Sequence, residues 1–334
     1  MKELLKRNRT IYNLYLFLKY LNFRRKFKSI TISKEDFKAN YLKDMKDTGF
    51  LFAEDMAGYK KLKKDNAKAY ADEETLKAKL SDFKKEGPFY VEWNNSLINE
   101  NDLFVIEHKY MRPEGINFKE WIGSVKMAIN ARIRFTYEIL RLTLPKVPLK
   151  GDDKIYIAEY DTPFYSLLNT EFAGRLIGSQ YFGPNAIPGS LHNGIMHQDL
   201  EKLSFETGSL KYCMTFEDLE HVVYYKSALS ELYRVLAPDG VLILSVPFVP
   251  DAEKTIERAY VDEKGEIVHI LEPEMHGDPL NDAGILCFRN FGWELLEQLR
   301  ALGFKHVKFI TGSFPEKLII GSPLAIVCSK ELPI

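Results

Sequence analysis

Beyond residue 151 the apolar positions fall into short continuous runs separated by stretches with helical spacing. The runs at 154–159 (KIYIAE), 176–182 (LIGSQYF), Leu210–Phe216 (LKYCMTF) and 241–246 (VLILSV) predict strands. Another short strand is expected beside 193–196, and two more at 305–310 and 324–328. Between them, 164–172, 224–236 and 294–302 carry apolar residues at helical spacing. Pro238, Asp239 and Gly240 stop the second of these helices, and Gly303 the third. A nearly continuous apolar run, such as VLILSV, suits a strand buried on both faces. Strand alternating with helix predicts a mainly parallel α/β sheet covered on both faces.

The first half reads differently. Residues 31–86 are polar, lysine-rich and helical in pattern, with no proline before Pro88. Residues 88–112 have the aromatic and β-branched content of strands, broken by an Asn-rich turn, and 117–142 return to helical periodicity. Pro145, Pro148 and Gly151 mark a linker. A chain of 334 residues has room for two units, and the pattern places them at 1–150 and 151–334.

Charge sharpens that division. Residues 1–150 hold 31 Lys+Arg against 20 Asp+Glu, a net of +11, whereas 151–334 hold 15 against 27, a net of −12. Nine of the basic residues lie within the first thirty positions. The apolar stretch 10–23 carries Tyr and Lys19, lacks a signal-cleavage pattern and is shorter than the ~20 residues a membrane span needs. Leu14, Phe17, Leu18 and Leu21 recur at helical spacing between basic flanks. Two readings stay open: peripheral contact of residues 1–30 with an anionic membrane, or a helix packed on a neighbouring domain with a solvated basic rim. Three cysteines in or beside apolar runs, Cys213, Cys287 and Cys328, exclude a disulfide scaffold and point to buried thiols in a reducing compartment. The expected location is cytoplasmic or membrane-peripheral. Outside the first thirty positions basic residues do not interleave with aromatics, so no nucleic-acid partner is expected.

The stretch 220–248, EHVVYYKSALSELYRVLAPDGVLILSVPF, resembles class I S-adenosylmethionine (SAM)-dependent methyltransferases. In that family a helix ends in an Arg-Val-Leu-Lys/Arg-Pro-Gly-Gly turn before a buried strand. Here the turn is Arg234-Val235-Leu236-Ala237-Pro238-Asp239-Gly240. The later segment HGDPLNDAGILCFRNFGWELLEQLRALGF is similar to a type 11-like subgroup often associated with surface-polysaccharide genes. The resemblance spans roughly 153–329 and implies a Rossmann-like, mainly parallel seven-stranded methyltransferase sheet, with SAM as cofactor.

It also implies a set of cofactor contacts. Glu159 keeps the acid at the end of the first strand, but the loop after it, Tyr160-Asp161-Thr162-Pro163-Phe164, has no glycine, with Thr162 as helix cap. Gln180 and Tyr181 stand where the family has a ribose-binding acid. Asp199 and Leu200 match an Asp-Leu that meets adenine, and Phe216 replaces an Asn at the end of strand four. Each acid has a plain alternative as a helix cap, and Glu220-His221 reads more readily as a cap than as chemistry.

The long segment 248–292 should arch over the sheet edge, and loops of that length are usually functional. A hairpin is expected to turn at Asp262–Gly265. Methyl transfer to a hydroxyl needs alignment and a proton acceptor, which suits a histidine of ordinary pKa. His276 is the first candidate base and His269 the second, with Asp278 orienting His276 and with Arg258 and Tyr260 meeting the substrate. His269, Glu274 and His276 match no strong metal signature, so no metal is expected. Upstream, Asn130-Ala131-Arg132-Ile133-Arg134 resembles a helix that follows a Cys-x-x-Cys ribbon in some members. Without cysteines it implies a zinc-free remnant, with Arg132 and Arg134 either facing an anion or forming ion pairs. The expected activity is O-methylation of a saccharide or saccharide-linked small molecule; the alternative is a catalytically silent fold used as a scaffold.

Overall fold

A computed structural model of the chain describes Leu18, Asn22 and residues 31–81, 89–106, 117, 120, 122–278 and 281–333. The basic segment 1–30, with its membrane reading, lies outside the described residues apart from those two positions. Among the described residues no helix is long and apolar enough to cross a membrane.

The chain forms two units that are not consecutive in sequence. The first comprises Met1–Leu51, Leu62–Glu138 and Thr311–Leu324, and the second the remainder. In chain order the first half holds β1 (Thr31–Ile32), α1 (Lys34–Phe37) with a π-helical turn at Lys38–Leu42, β2 (Gly49–Ala53), α2 (Met56–Asp65), α3 (Ala67–Ser81), β3 (Phe89–Asn95), β4 (Glu100–Ile106), β5 (Gly123–Ser124) and α4 (Ala131–Thr143). The uniformly helical expectation for 31–86 is corrected by β1 and β2. Thr31 and Ile32 are β-branched and find a partner in Tyr90 and Val91, which local periodicity does not show. The helix expected over 117–142 is shorter, because Asn130 Oδ1 accepts from Ile133 N at 2.9 Å and caps its start.

Strands β1, β3, β4 and β5 make a four-stranded sheet in that order. Phe89, Val91, Trp93 and Phe104 bury its apolar face against Phe37, Leu76 and Leu80. Asp102 is buried, yet it accepts from Asn95 Nδ2 at 2.9 Å, from its neighbour's Leu103 N at 2.7 Å, from Lys126 N at 3.1 Å and from the Ser124 hydroxyl. Arg134 is buried too. Its guanidinium donates to Ile122 O at 3.0 Å and Leu318 O at 2.8 Å and lies over the Phe104 ring at 4.7 Å. Burial pushes its pKa down to about 9, so it keeps its proton at neutral pH. Arg132 pairs with Glu120 at 2.8 Å. Both arginines are therefore internal supports.

The second unit holds β6 (Lys154–Ile157), α5 (Pro163–Glu171), β7 (Leu176–Gln180), β8 (Leu191–His192), β9 (Ile195–His197), β10 (Leu210–Phe216), α6 (Tyr225–Val235) and β11 (Leu236–Ser245). Then come β12 (Ile256–Glu257), β13 (Ala259–Val261), β14 (Ile267–His269), β15 (Met275–Asp278), β16 (Asn281–Leu286), β17 (Arg289–Asn290), α7 (Glu294–Leu302), β18 (His306–Ser313), whose end from Thr311 belongs to the first unit, and β19 (Leu324–Ser329), which re-enters the second unit at Ala325. The main sheet has the order β2-β18-β19-β11-β10-β6-β7-β9-β8. The pairs β9/β7, β7/β6, β6/β10 and β10/β11 are parallel. The pairs β11/β19 and β8/β9 are antiparallel. The sheet is thus mixed and nine-stranded, where seven mainly parallel strands were expected.

Strands β10 and β11 bury nearly every side chain along their apolar runs, as expected of central strands. The chain adds β7 on one side of β6 and later β10 on the other. That reversal marks the carboxyl ends of β6 and β10 as the place where ligands bind in open α/β sheets. All three cysteines are buried free thiols.

Candidate functional site

The loop leaving β6 lacks glycine but still makes its turn. Asp161 takes a left-handed conformation, φ 59°, which Asp tolerates better than most residues. Thr162 Oγ1 then accepts from Tyr165 N at 3.0 Å and Pro163 occupies the first turn of α5, as the sequence implied. Tyr160 and Tyr165 pack ring to ring at 4.6 Å. Below them Gly178 of β7 lets strand and helix close. A Cβ there would lie 2.4 Å from Tyr165 Cε2 and 2.7 Å from Glu159 O.

The neighbouring strand ends carry the other expected residues. Gln180 ends β7 half-buried, and Tyr181 after it is 49% exposed. Asp199 and Leu200 follow β9 and are half-buried. Asp199 Oδ1 accepts from Glu201 N at 2.9 Å, so it also shapes its own turn. Phe216 ends β10 and packs on Phe164 at 5.8 Å. The adjacent Glu217 is left-handed, φ 60°, and Asp218 Oδ2 accepts from the Thr215 hydroxyl at 2.6 Å and Phe216 N at 3.0 Å. Glu159, Thr162, Gln180, Tyr181, Asp199, Leu200 and Phe216 therefore share the carboxyl edge of four adjacent parallel strands. In donor chemistry the edge fits SAM. A carboxylate and an amide stand ready for hydrogen bonds of the kind a ribose and an adenine amine would make, aromatic rings lie nearby, and Thr162 is committed to the helix.

The insert is built from small hairpins. The expected turn at 262–265 joins β13 to β14, and Asp262 Oδ1 accepts from both Lys264 N and Glu266 N at 2.9 Å. Tyr260 and His269 lie exposed on this ribbon. The substrate role expected of Arg258 is corrected, because its guanidinium is spent inside the insert. It donates to Glu272 O at 2.8 Å and pairs with Glu274 at 3.3 Å. The side chain of Asp278 lies outside the described ones. His269 and His276 sit on different hairpins.

His276 belongs instead to a group that reading by spacing missed. Its Nδ1 is 3.4 Å from Glu220 Oε1 and its Nε2 is 3.2 Å from Glu274 Oε1. Its ring meets that of His221 edge-on at 5.0 Å. The neighbouring Cys287 sulfur, then the Glu220 carboxylate, push the His276 pKa up, against the desolvation that opposes it. His276 is thus held between two carboxylates, where the sequence reading expected a base facing an acceptor hydroxyl. Glu220 is fully buried, and loss of water around it pushes its carboxyl up to about 7. Glu220 and His221 are not helix caps either: α6 starts only at Tyr225, after a turn. An acid-histidine pair stranded between a strand end and a late-starting helix is the signal that was available.

Residues 178–244 match the family model of the methyltransferase domain, a segment running from within β7 to within β11. No curated protein matches the chain. Similar solved structures include an S-adenosylmethionine-dependent methyltransferase from Mesorhizobium loti, 17% identical, covering 57% of this chain and 95% of that one at TM-score 0.34. Another is the Burkholderia thailandensis 1,6-didemethyltoxoflavin-N1-methyltransferase with bound 1,6-didemethyltoxoflavin and S-adenosylhomocysteine, 16% identical, covering 60% and 78% at TM-score 0.33. A third is Streptomyces venezuelae DesVI, 14% identical, covering 59% and 91% at TM-score 0.37. The segment match bears out the methyltransferase expectation; the structural likenesses are too low to add to it.

Proposed function

We propose that the chain is a SAM-dependent methyltransferase that holds SAM along the carboxyl edge of β6, β7, β9 and β10 and methylates a hydroxyl of a saccharide or saccharide-linked small molecule. The observation that carries this reading is the methyltransferase-domain match over 178–244, which covers three of those four strand ends. SAM, when bound, supplies an activated methyl group on a sulfonium. Gln180 offers one acceptor and one donor to a ribose, and Asp199 offers its second carboxylate oxygen to an adenine amine. Tyr224 and Tyr260 present exposed rings, the kind of flat apolar surface on which a sugar face packs, and this supports the saccharide class. The insert limits water access and aligns the acceptor.

Calorimetric titration with SAM and S-adenosylhomocysteine tests the cofactor. Asp199→Ala should weaken SAM roughly tenfold, about 1.4 kcal/mol. A panel of sugars and sugar nucleotides with methyl-labelled SAM then tests the acceptor. The second reading, a silent scaffold, is favoured by Gln180 standing where the resemblance has an acid. Absence of SAM binding at millimolar concentration would establish it in place of the first.

A further inference from the structure

Two loops far apart in sequence converge on Glu220. The turn after β10 supplies Glu220 and His221, and the β15–β16 hairpin supplies His276. Glu220 is 0% exposed, and neither of its carboxylate oxygens receives an aligned hydrogen bond. His276 Nδ1 at 3.4 Å and His221 Nε2 at 3.6 Å approach Oε1 without that alignment. A buried carboxylate is costly unless something of opposite charge completes it.

The two histidines are held from behind. His221 Nδ1 meets Leu286 O at 2.7 Å, which makes it the protonated nitrogen and leaves the Nε2 lone pair on the Glu220 side. His276 Nε2 meets the Glu274 carboxylate at 3.2 Å, and its Nδ1 faces Glu220, where a metal ion would displace the proton that the pair otherwise holds. A carbonyl or carboxylate behind each imidazole is how metal-binding histidines are oriented. The spacing agrees. Tetrahedral zinc with bonds of about 2.0–2.1 Å separates neighbouring donors by roughly 3.3 Å. The donor atoms of Glu220, His221 and His276 all lie within 4.8 Å of one another.

We propose that Glu220, His221 and His276 form a zinc-type divalent metal site with three protein ligands and an open fourth position, with Glu274 as the positioning residue for His276. Two histidines and one carboxylate plus an open position is a catalytic rather than a structural zinc set. Cys287 stands nearby, but its thiol donates to Arg289 O at 3.2 Å and is outside the ligand set. The site follows the carboxyl end of β10, the edge assigned to SAM. An acceptor hydroxyl bound at the open position would lose its proton more readily. Only that last consequence rests on the methyltransferase reading; metal binding stands without it.

The test uses the full chain without a histidine tag, with metal content measured after dialysis and zinc affinity measured by titration. One zinc per chain is expected, with magnesium failing to compete. Glu220→Gln and His221→Ala should each weaken zinc at least about 100-fold, and Glu274→Gln about 10–100-fold. His269→Ala, on the exposed ribbon, should keep the metal. Where a variant does not fold, the wild-type protein decides. An anomalous-scattering peak at the zinc edge between Glu220, His221 and His276 supports the site. No bound zinc, a peak elsewhere, full zinc affinity in folded Glu220→Gln, or a thiolate-to-metal band in the cobalt-substituted protein overturns it.

Discussion

Substituting Gly178 by alanine tests whether the end of β6 and the start of α5 are held as tightly as the cofactor edge requires. The new Cβ would sit 2.4 and 2.7 Å from two carbons of the Tyr165 ring and 2.7 Å from Glu159 O. Ordinary contact begins near 3.4 Å, so the Tyr165 ring must give by about 1 Å and Glu159 O by about 0.7 Å. The half-buried Tyr165 ring can swing, at the expense of its packing on Tyr160. Glu159 O is main chain and moves only if the 159–162 loop moves with it. Overpacking of this kind costs about 1–3 kcal/mol, and the backbone contact argues for about 2. That corresponds to a fall of roughly 4–8 °C in the melting of a unit of this size. SAM affinity should fall with it, about tenfold, because the displaced loop carries the cofactor contacts. Gly174→Ala is the control: its φ is 78°, but nothing lies within 4 Å of the added carbon. It should cost ~1–2 kcal/mol through backbone strain and leave SAM affinity alone. The assays are thermal melting and calorimetric titration of both variants. Equal SAM affinities in the two would refute the claim that Gly178 transmits packing to the loop.

Thr162→Ala removes the cap of α5 and should lower stability by about 1 kcal/mol in denaturant titration; an unchanged midpoint would show that the cap bond carries no weight. Arg134→Met leaves the carbonyls of Ile122 and Leu318 buried without their donor, so a loss of about 3 kcal/mol is expected with SAM affinity retained. If residues 1–30 dock on anionic lipid, the full chain should co-sediment with anionic vesicles, less so in added salt, and a chain lacking them should not; loss of cooperative melting on truncation would support the packed-helix reading instead.

Much of the second unit was legible because its signals are local. The run LKYCMTF is mostly apolar and aromatic, and the strand Leu210–Phe216 forms with those bounds. Thr162-Pro163 announces the start of α5, and Gly303 ends α7 in a left-handed cap. These are properties of a few consecutive residues, decided by backbone sterics and capping. What depended on distant partners was hidden. Thr31–Ile32 becomes a strand only because β3 offers an edge, and the Thr311–Leu324 segment joins the first unit although it follows the second unit's helices. Arg134 and Arg258 looked like ligand-binding cations, but which carbonyls and carboxylates surround them is settled by packing.

The sequence by itself determined that an α/β sheet would form, where its central strands and helices lie to within a few residues, and which residues stand near the strand ends. It could not place Glu220 and His221 beside His276, since no spacing rule links a turn after one strand to a hairpin inserted after the next. Only the tertiary structure brings them together, because β10 and β11 are neighbours in the sheet and the insert folds back over their carboxyl ends. Local propensity acts over a turn or two of chain, whereas a side chain's pKa, its donors and its chemistry depend on whatever the fold has set within a few ångströms of it.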